Sequence, residues 1–508
     1  MSAPRRRAPD LRLAPVAATA FGCALGFAAV PCRESLALAV CAVCAGAACV
    51  VTGRGWARGP VKAEQLRAVG LCAVVMALVC GLGAARAHSA ERSPLAGSQP
   101  ARATVELEVR AIPRPVAAEH GSAEVVVIDV FVRSVSLGSE RWTMRAPATL
   151  FARGEGWLWL EPGTAAKTVV STSPGPPGER ELTLSAGGSP RIVHGPEGAH
   201  SVAAGVRTAL QEASRALPPP ADALLPSMVL GDQRRVPPEL SQAFLDSGLS
   251  HLAAVSGANI AYVLGAAVWL AAVCGAGRRT RLALGAASVA AFVLVVGPEP
   301  SVLRAAAMAA ISVFALATGR SRDSLRLLLV VVLVFSIAAP ATVVGLGFVL
   351  SVTATAGIVI AAAPAERLLL AATLLAARSA RRLRGRVLAE KSPEVAAPAA
   401  VFVAASAFPH RHPVRLACSA IALALVAHAS TAPVLAATGR AVPAWAIAKN
   451  IAVAPVVPLV TVAGTAAAAA GPVAPPLGSA ASRALAWATV PALWWIVSVA
   501  RWGVGGER

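Results

Sequence analysis

Asp232, His251 and Ser256 fall within one short stretch and bring together a carboxylate, an imidazole and a hydroxyl, the groups of a nucleophilic hydrolase. No oxyanion arrangement accompanies them, so this set defines a third and weakest reading. Ser256 and Asn259 are three residues apart, which places both on one face of a helix. Such a face either lines a polar conduit or hydrogen-bonds to a neighbouring helix. Arg304 stands one helical turn after Pro300 inside an apolar run. An arginine there either meets an anion such as a phosphate or extends its head to the membrane surface. Asn450 precedes Pro455 and Pro458, which interrupt a long apolar segment. The prolines predict a broken membrane helix with an unwound stretch facing water. Trp142, Trp157 and Trp159 cluster in a strand-rich region, where they either stack on nucleobases or pack a core. Cys41 and Cys44 have CxxC spacing but lie in an Ala/Val run without His or carboxylate neighbours. His410 and His412 lack further ligands. Neither pair predicts a metal site, no cofactor is expected, and no phosphate-binding Gly-x-x-x-x-Gly-Lys-Ser/Thr loop occurs.

The elements that hold these residues are membrane helices. Of 508 residues 56% are hydrophobic and 14% charged, more apolar surface than one water-soluble core can hide. A span of about 20 apolar residues crosses the hydrocarbon layer. Residues 1–85 offer three such stretches, near 13–31, 35–51 and 68–85. Arg5, Arg6, Arg7 and Arg12 precede the first, and a basic loop with Arg54, Arg58, Lys62 and Arg67 precedes the third. Residues 86–200 change to period-two alternation, as in Val105-Glu106-Leu107-Glu108-Val109, with further strand-like runs at 125–135, 143–151 and 167–171. This predicts a small β domain of OB type. Ten cationic residues balance ten acidic ones over 101–195, so its charge alone does not argue for nucleic-acid binding.

Residues 201–249 read as an amphipathic linker, and 250–500 as a second membrane region of about eight spans, followed by a tail at 501–508. The expected spans lie near 250–274, 282–297, 301–318, 326–343, 346–363, 415–437, 442–470 and 482–500, with 395–409 interfacial or re-entrant. The net charge of +20 gathers in alternate loops: at Arg278, Arg279 and Arg281, at Arg320, Arg322 and Arg326, and from Arg367 to Lys391. The positive-inside rule then puts these loops and the N-terminus in the cytoplasm, and the β domain outside the cytoplasmic membrane. The fold class expected is mainly α, a polytopic helical membrane protein with one small exterior OB-like β domain.

Leu230-Gly231-Asp232-Gln233, Pro238-Glu239-Leu240 and Ser250-His251-Leu252-Ala253-Ala254-Val255-Ser256-Gly257-Ala258-Asn259, in that order, resemble the signature of the ComEC family of competence channels. Three further blocks follow in family order. They are Pro300-Ser301-Val302-Leu303-Arg304-Ala305, then Gly347-Phe348-Val349-Leu350-Ser351 with Ala354-Thr355-Ala356-Gly357, then Asn450-Ile451-Ala452 with Pro455 and Pro458. The resemblance is strong over about 225–470 and architectural before that. Val349 and His428 stand where the family usually carries Gln. The chain ends soon after its last span without the His-x-His-x-Asp-His motif of the family's metallo-β-lactamase-like domain, so it resembles a form lacking that domain.

The resemblance implies a channel that passes single-stranded DNA through the cytoplasmic membrane during natural transformation, and not an enzyme. Asp232, His251, Ser256, Gly257, Asn259, Arg304, Phe348, Ser351, Thr355, His428, Asn450, Pro455 and Pro458 are the pore or motif candidates. The implied partners are single-stranded DNA, membrane lipid, an exterior DNA receptor, a separate nuclease and a cytoplasmic ATPase or helicase. A homo-oligomer is compatible with it. A secondary transporter of a small solute is the alternative, with the broken segment as its central site.

Overall fold

The computed structural model describes residues 16–22, single positions between 72 and 81, and the segments 102–116, 125–137, 139–173, 182–253, 255–317, 324–339, 342–343, 345–388, 412–439, 445–473 and 477–502. Residues 16–22 and the single positions of 72–81 are helical. The expected second span, Cys41, Cys44, His410 and the 395–409 segment lie outside the described residues. The chain divides into two compact units, Met1–Phe348 with Val453–Arg508, and Val349–Ala452.

In the first unit, alternation writes a barrel. Along β1 (Arg102–Val109) the side chains of Ala103, Val105, Leu107 and Val109 turn inward, and along β3 (Val125–Leu137) Val126, Ile128, Val130 and Val132 do the same. A strand projects successive side chains to opposite faces, so each contributes every second residue to one core. β2 (Arg114–Val116) pairs with the edge of β3. β4 (Glu140–Ala152), β5 (Ala165–Ser173), β6 (Leu182–Ala186) and β7 (Arg191–His194) complete the sheet. Its order is β1-β3-β4-β6-β5, and β5 pairs back to β1, closing a five-stranded barrel. The β4–β6 pair is parallel and the others are antiparallel. This is the OB-like barrel expected from the sequence. Trp157 plugs its interior with no exposed surface and donates from Nε1 to the Gly188 carbonyl at 2.5 Å.

The helices of the first unit are α1 (Ala199–Arg215), α2 (Ala221–Leu230), α3 (Pro238–Asp246), α4 (Gly257–Val273), α5 (Arg278–Val296), α6 (Pro300–Ala317) and α7 (Ser324–Ala338). α1 buries Ala203, Arg207, Leu210 and Ser214, a helical stripe interrupted by one cation. α4, α5 and α6 pack mutually around Val255, Ile260, Val263, Val289, Phe292, Val296 and Val302. Glycine permits the closest approach: a Cβ on Gly285 would meet Leu264 Cδ1 at 2.7 Å and Val268 Cγ2 at 2.9 Å.

α8 (Leu346–Leu388) follows, and the second unit also holds α9 (His412–Ala437). α10 (Trp445–Val453) is separated from α11 (Val457–Ala470) by a turn at 454–456, and α12 (Leu477–Ala488) leads into α13 (Val490–Arg501). α11 packs on α1, α2 and α4.

Among the described residues four helical segments are long and apolar enough to cross a bilayer: Arg278–Val296, Leu346–Ser379, Ala417–Ala437 and Leu477–Arg501. The α10–α11 pair makes a fifth if the broken helix counts as one span. α4 and α7 are apolar but shorter than the spans expected there, and of α6 the apolar part Ser301–Val313 is likewise short. Trp269, Leu270 and Val273 on α4 and Leu368 and Leu375 on α8 are exposed. Surface of that kind is tolerable where lipid is the solvent. The molecule is a multi-pass membrane protein, mainly helical, with a separate β domain.

One expectation is corrected here. The span near 346–363 does not end in a basic loop; α8 continues through Arg367 and Arg378. Its Ala, Leu and Arg content has high helix propensity, and Pro364 is absorbed without ending it.

Candidate functional site

Two polar constellations occupy the interior of the first unit, and both are built on the loop between α2 and α3. At the end of α2, Gly231 takes the left-handed conformation, φ 75°, and its N–H and that of Asp232 return to the Ser227 and Pro226 carbonyls. An L side chain is strained at that φ, which is why glycine ends the helix.

The first constellation radiates from Asp232. Arg234 donates from Nε to Oδ1 and from Nη2 to Oδ2, both at 2.8 Å, and Gln211 Nε2 donates to Oδ2 at 2.8 Å. Arg234 Nη2 also reaches Glu161 Oε1 at 3.3 Å, and Arg207 Nε donates to Glu161 Oε2 at 2.6 Å. Arg207 Nη1 donates to the Val295 carbonyl at 2.9 Å. Two guanidinium groups and two carboxylates thus tie the barrel, through Glu161, to α1, the α2–α3 loop and the end of α5. Burial pushes the Asp232 carboxyl up, but the Arg234 fork and the Gln211 amide outweigh it and hold the group below its ordinary value. Burial likewise works against the Arg234 charge, and Asp232 and Glu161 reverse this and raise its pKa. Asp232 does not cap α3, which has no side-chain cap; its carboxylate is committed to Arg234 and Gln211.

The second constellation holds the chain where it re-enters the helical layer. Ser227 Oγ and Gln233 Nε2 both donate to the Ala253 carbonyl, at 2.7 and 3.0 Å, and Ser301 Oγ donates to Val255 O at 3.2 Å. Ser256 Oγ donates to Asn259 Oδ1 at 3.1 Å, Asn259 Nδ2 to Met228 O at 3.0 Å, and Thr461 Oγ1 to Asn259 Oδ1 at 3.4 Å. The face shared by Ser256 and Asn259 is therefore turned inward, and Asn259 is 4% exposed. Of the two readings open for this pair, its hydrogen bonds match the interhelical one. The pair fastens α4 to α2 and α11, since a buried amide must find partners. His251 is exposed in the short turn Ser250–Leu252. Among the described residues no hydrogen bond joins Asp232, His251 and Ser256, so the hydrolase set is not assembled.

Gly257 opens α4 against α6. A Cβ there would lie 3.1 Å from Ala305 Cβ and 3.9 Å from Arg304 Nη2. Arg304 is 3% exposed and does not extend to a membrane surface; its guanidinium lies 5.8 Å from the ring centroid of the fully buried Phe348, which also meets Phe335 at 5.5 Å. Beside these residues a cleft of about 60 Å³ is lined by Leu230, Gly231, Gln233, Val255, Glu299 and Ser301, among others.

In the second unit, Thr355 Oγ1 donates to Ser351 O within α8 at 2.7 Å, and a Cβ on Gly357 would collide with the Ser430 side chain of α9. His428 and Val349 are half-buried on α9 and α8. Asn450 is helical, not unwound: it lies within α10, and its Nδ2 donates to Ala446 O one turn back at 2.9 Å. The helix breaks further on, at the turn that contains Pro455, and Pro458 lies in the first turn of α11.

Of the three tryptophans, Trp157 is core and cannot stack on a base, and Trp142 is half-buried in β4. Trp159 is 54% exposed, with the Arg234 guanidinium 5.2 Å from its ring. Sequence reasoning missed Arg207, Glu161, Arg234 and Gln211. The available signal was Arg207 itself, a cation on the otherwise buried stripe of α1.

A family model described as "Competence protein" matches residues 228–505, more than half of the chain. No curated protein and no solved structure matches the chain.

Proposed function

The chain belongs to the competence-protein family, with a role in DNA uptake, and from that membership we propose that it is the cytoplasmic-membrane channel through which single-stranded DNA enters during natural transformation. The observation that carries this reading is the match over residues 228–505, a segment that contains both the re-entry at Ala253 to Gly257 and the broken α10–α11 helix. A polyanion is not solvated by hydrocarbon, so passage needs a polar route between helices. The cleft beside the re-entry holds about 60 Å³, less than a nucleotide needs. Conduction on this reading requires α4 and α6 to part where they meet. The mobile elements would then be α4 and α6, moving against α5, whose end Arg207 holds to the barrel and the Asp232 network.

The energy for passage comes on this reading from a cytoplasmic ATPase or helicase. Single strands are delivered outside by a DNA receptor and a separate nuclease. Deletion of the gene in a naturally competent host tests the proposal. Transformation is expected to fall to the background of non-competent cells while DNA binding to the cell surface persists. Undiminished transformation would remove the channel reading.

A further inference from the structure

Arg304 carries a charge that the described protein does not neutralise. It lies on α6 and is 3% exposed. Nη2 reaches only the Ser301 carbonyl at 3.5 Å, the outer limit of a hydrogen bond, and Nη1 is buried with no partner. Among the described residues no carboxylate forms an ion pair with it. A buried cation left in that state is costly, and ordinarily a carboxylate or a bound anion offsets it.

Its surroundings make the deficit larger. The guanidinium is beside the start of α4, 17 residues long, whose first turn leaves the Gly257 and Ala258 N–H groups without an intrahelical acceptor. A helix N-terminus carries about half a positive charge. Arg304 and this helix end therefore repel each other, yet Nη2 sits 3.9 Å from the place a Gly257 Cβ would occupy. Glycine at the first helical position, where a Cβ would press on Ala305 Cβ at 3.1 Å, lets α6 bring the guanidinium this close to the helix end. Two adjacent positive groups, one of them a planar fork, suit a tetrahedral oxyanion.

The geometry points to an oxyanion site formed by the Arg304 guanidinium and the N-terminal amides of α4, whose ligand is a backbone phosphate of single-stranded nucleic acid. This rests on the channel reading, and it assigns the first phosphate contact to the place where α4 and α6 meet. Phe348, against which the guanidinium now rests, is the surface from which Arg304 would swing to the incoming group.

The test uses the full chain in phosphatidylcholine nanodiscs, with Arg304→Met, Arg304→Lys and wild type compared. Without added anion, Arg304→Met is expected to unfold at the same or a higher temperature than wild type, because an unpaired buried charge has been removed. Inorganic phosphate, exchanged for chloride at constant ionic strength, should raise the midpoint of wild type and Arg304→Lys but not of Arg304→Met. A labelled single-stranded oligonucleotide should bind Arg304→Met about tenfold more weakly or worse. The slope of log affinity against log salt should fall in magnitude by about 0.7, the value of one lost phosphate contact. Equal phosphate responses in wild type and Arg304→Met would overturn the site. A response only to anionic phosphatidylglycerol would also overturn it, in favour of a lipid headgroup. The channel reading fails separately: an Arg304-dependent phosphate response in a protein whose gene deletion leaves transformation intact would uphold the site and reject import.

Discussion

Asp232→Ala is expected to destabilise the protein by about 3–5 kcal/mol, the cost of stranding one partner of a buried ion pair. The side chains of Asp232 and Arg234 are 5% and 1% exposed, so solvent screening offers little relief. The carboxylate accepts from Arg234 Nε, Nη2 and N–H, and from Gln211; alanine removes all four hydrogen bonds at once. Thermal unfolding of the full chain in nanodiscs measures the loss. The mechanism makes a second, sharper demand. Adding Arg234→Met to Asp232→Ala removes the stranded cation and should recover part of the stability. A double variant no better than the single one would show that charge stranding is not the cause. The pH dependence has a definite sign. The folded-state pKa of Asp232 lies below its ordinary value of 3.8, so its contribution is fully present above that value and disappears as pH falls through the lower, folded one. Wild type should lose stability over that acidic window, and Asp232→Ala should lack this component.

Trp157→Ala is expected to cost about 3–5 kcal/mol, the range for deleting a large buried aromatic from a packed core. The effect should concentrate in the barrel, because Trp157 packs among Leu107, Ile128, Leu150 and Leu184 there. Hydrogen exchange of the β1, β3 and β4 amides would report it. Trp157→Phe keeps most of the volume and loses the hydrogen bond to the carbonyl of the exposed Gly188, and should cost about 0.5–1.5 kcal/mol. Protection of the barrel amides unchanged in Trp157→Ala would mean the ring is not a structural plug.

How much of this was legible depends on the range of the interaction. The barrel was, because alternation in β1 and β3 is a local signal. β6 and β7 were not, being short and next to Gly and Pro clusters. The motif around Ser256 left two readings open: spacing puts Ser256 and Asn259 on one face and is silent on where that face points. Met228 and Thr461 decide that, and they are remote in sequence. The same holds for the network around Asp232, since Arg234 meets Glu161 across 73 residues and Arg207 meets it across 46. Arg304 was marked by its type and its membrane context alone. Its burial beside Gly257 could not be seen, because it follows from how α4 packs on α6.

A DNA strand that passes the meeting point of α4 and α6 can be trapped there by site-specific photocrosslinking in competent cells. A benzophenone side chain at Ser301, which lines the cleft there, is compared with one at Trp269, which is 66% exposed on α4. The expected result is a covalent adduct with incoming labelled single strands at 301 and none at 269. Cells that take up the label normally but yield no adduct at 301, or equal adducts at both positions, would contradict that passage.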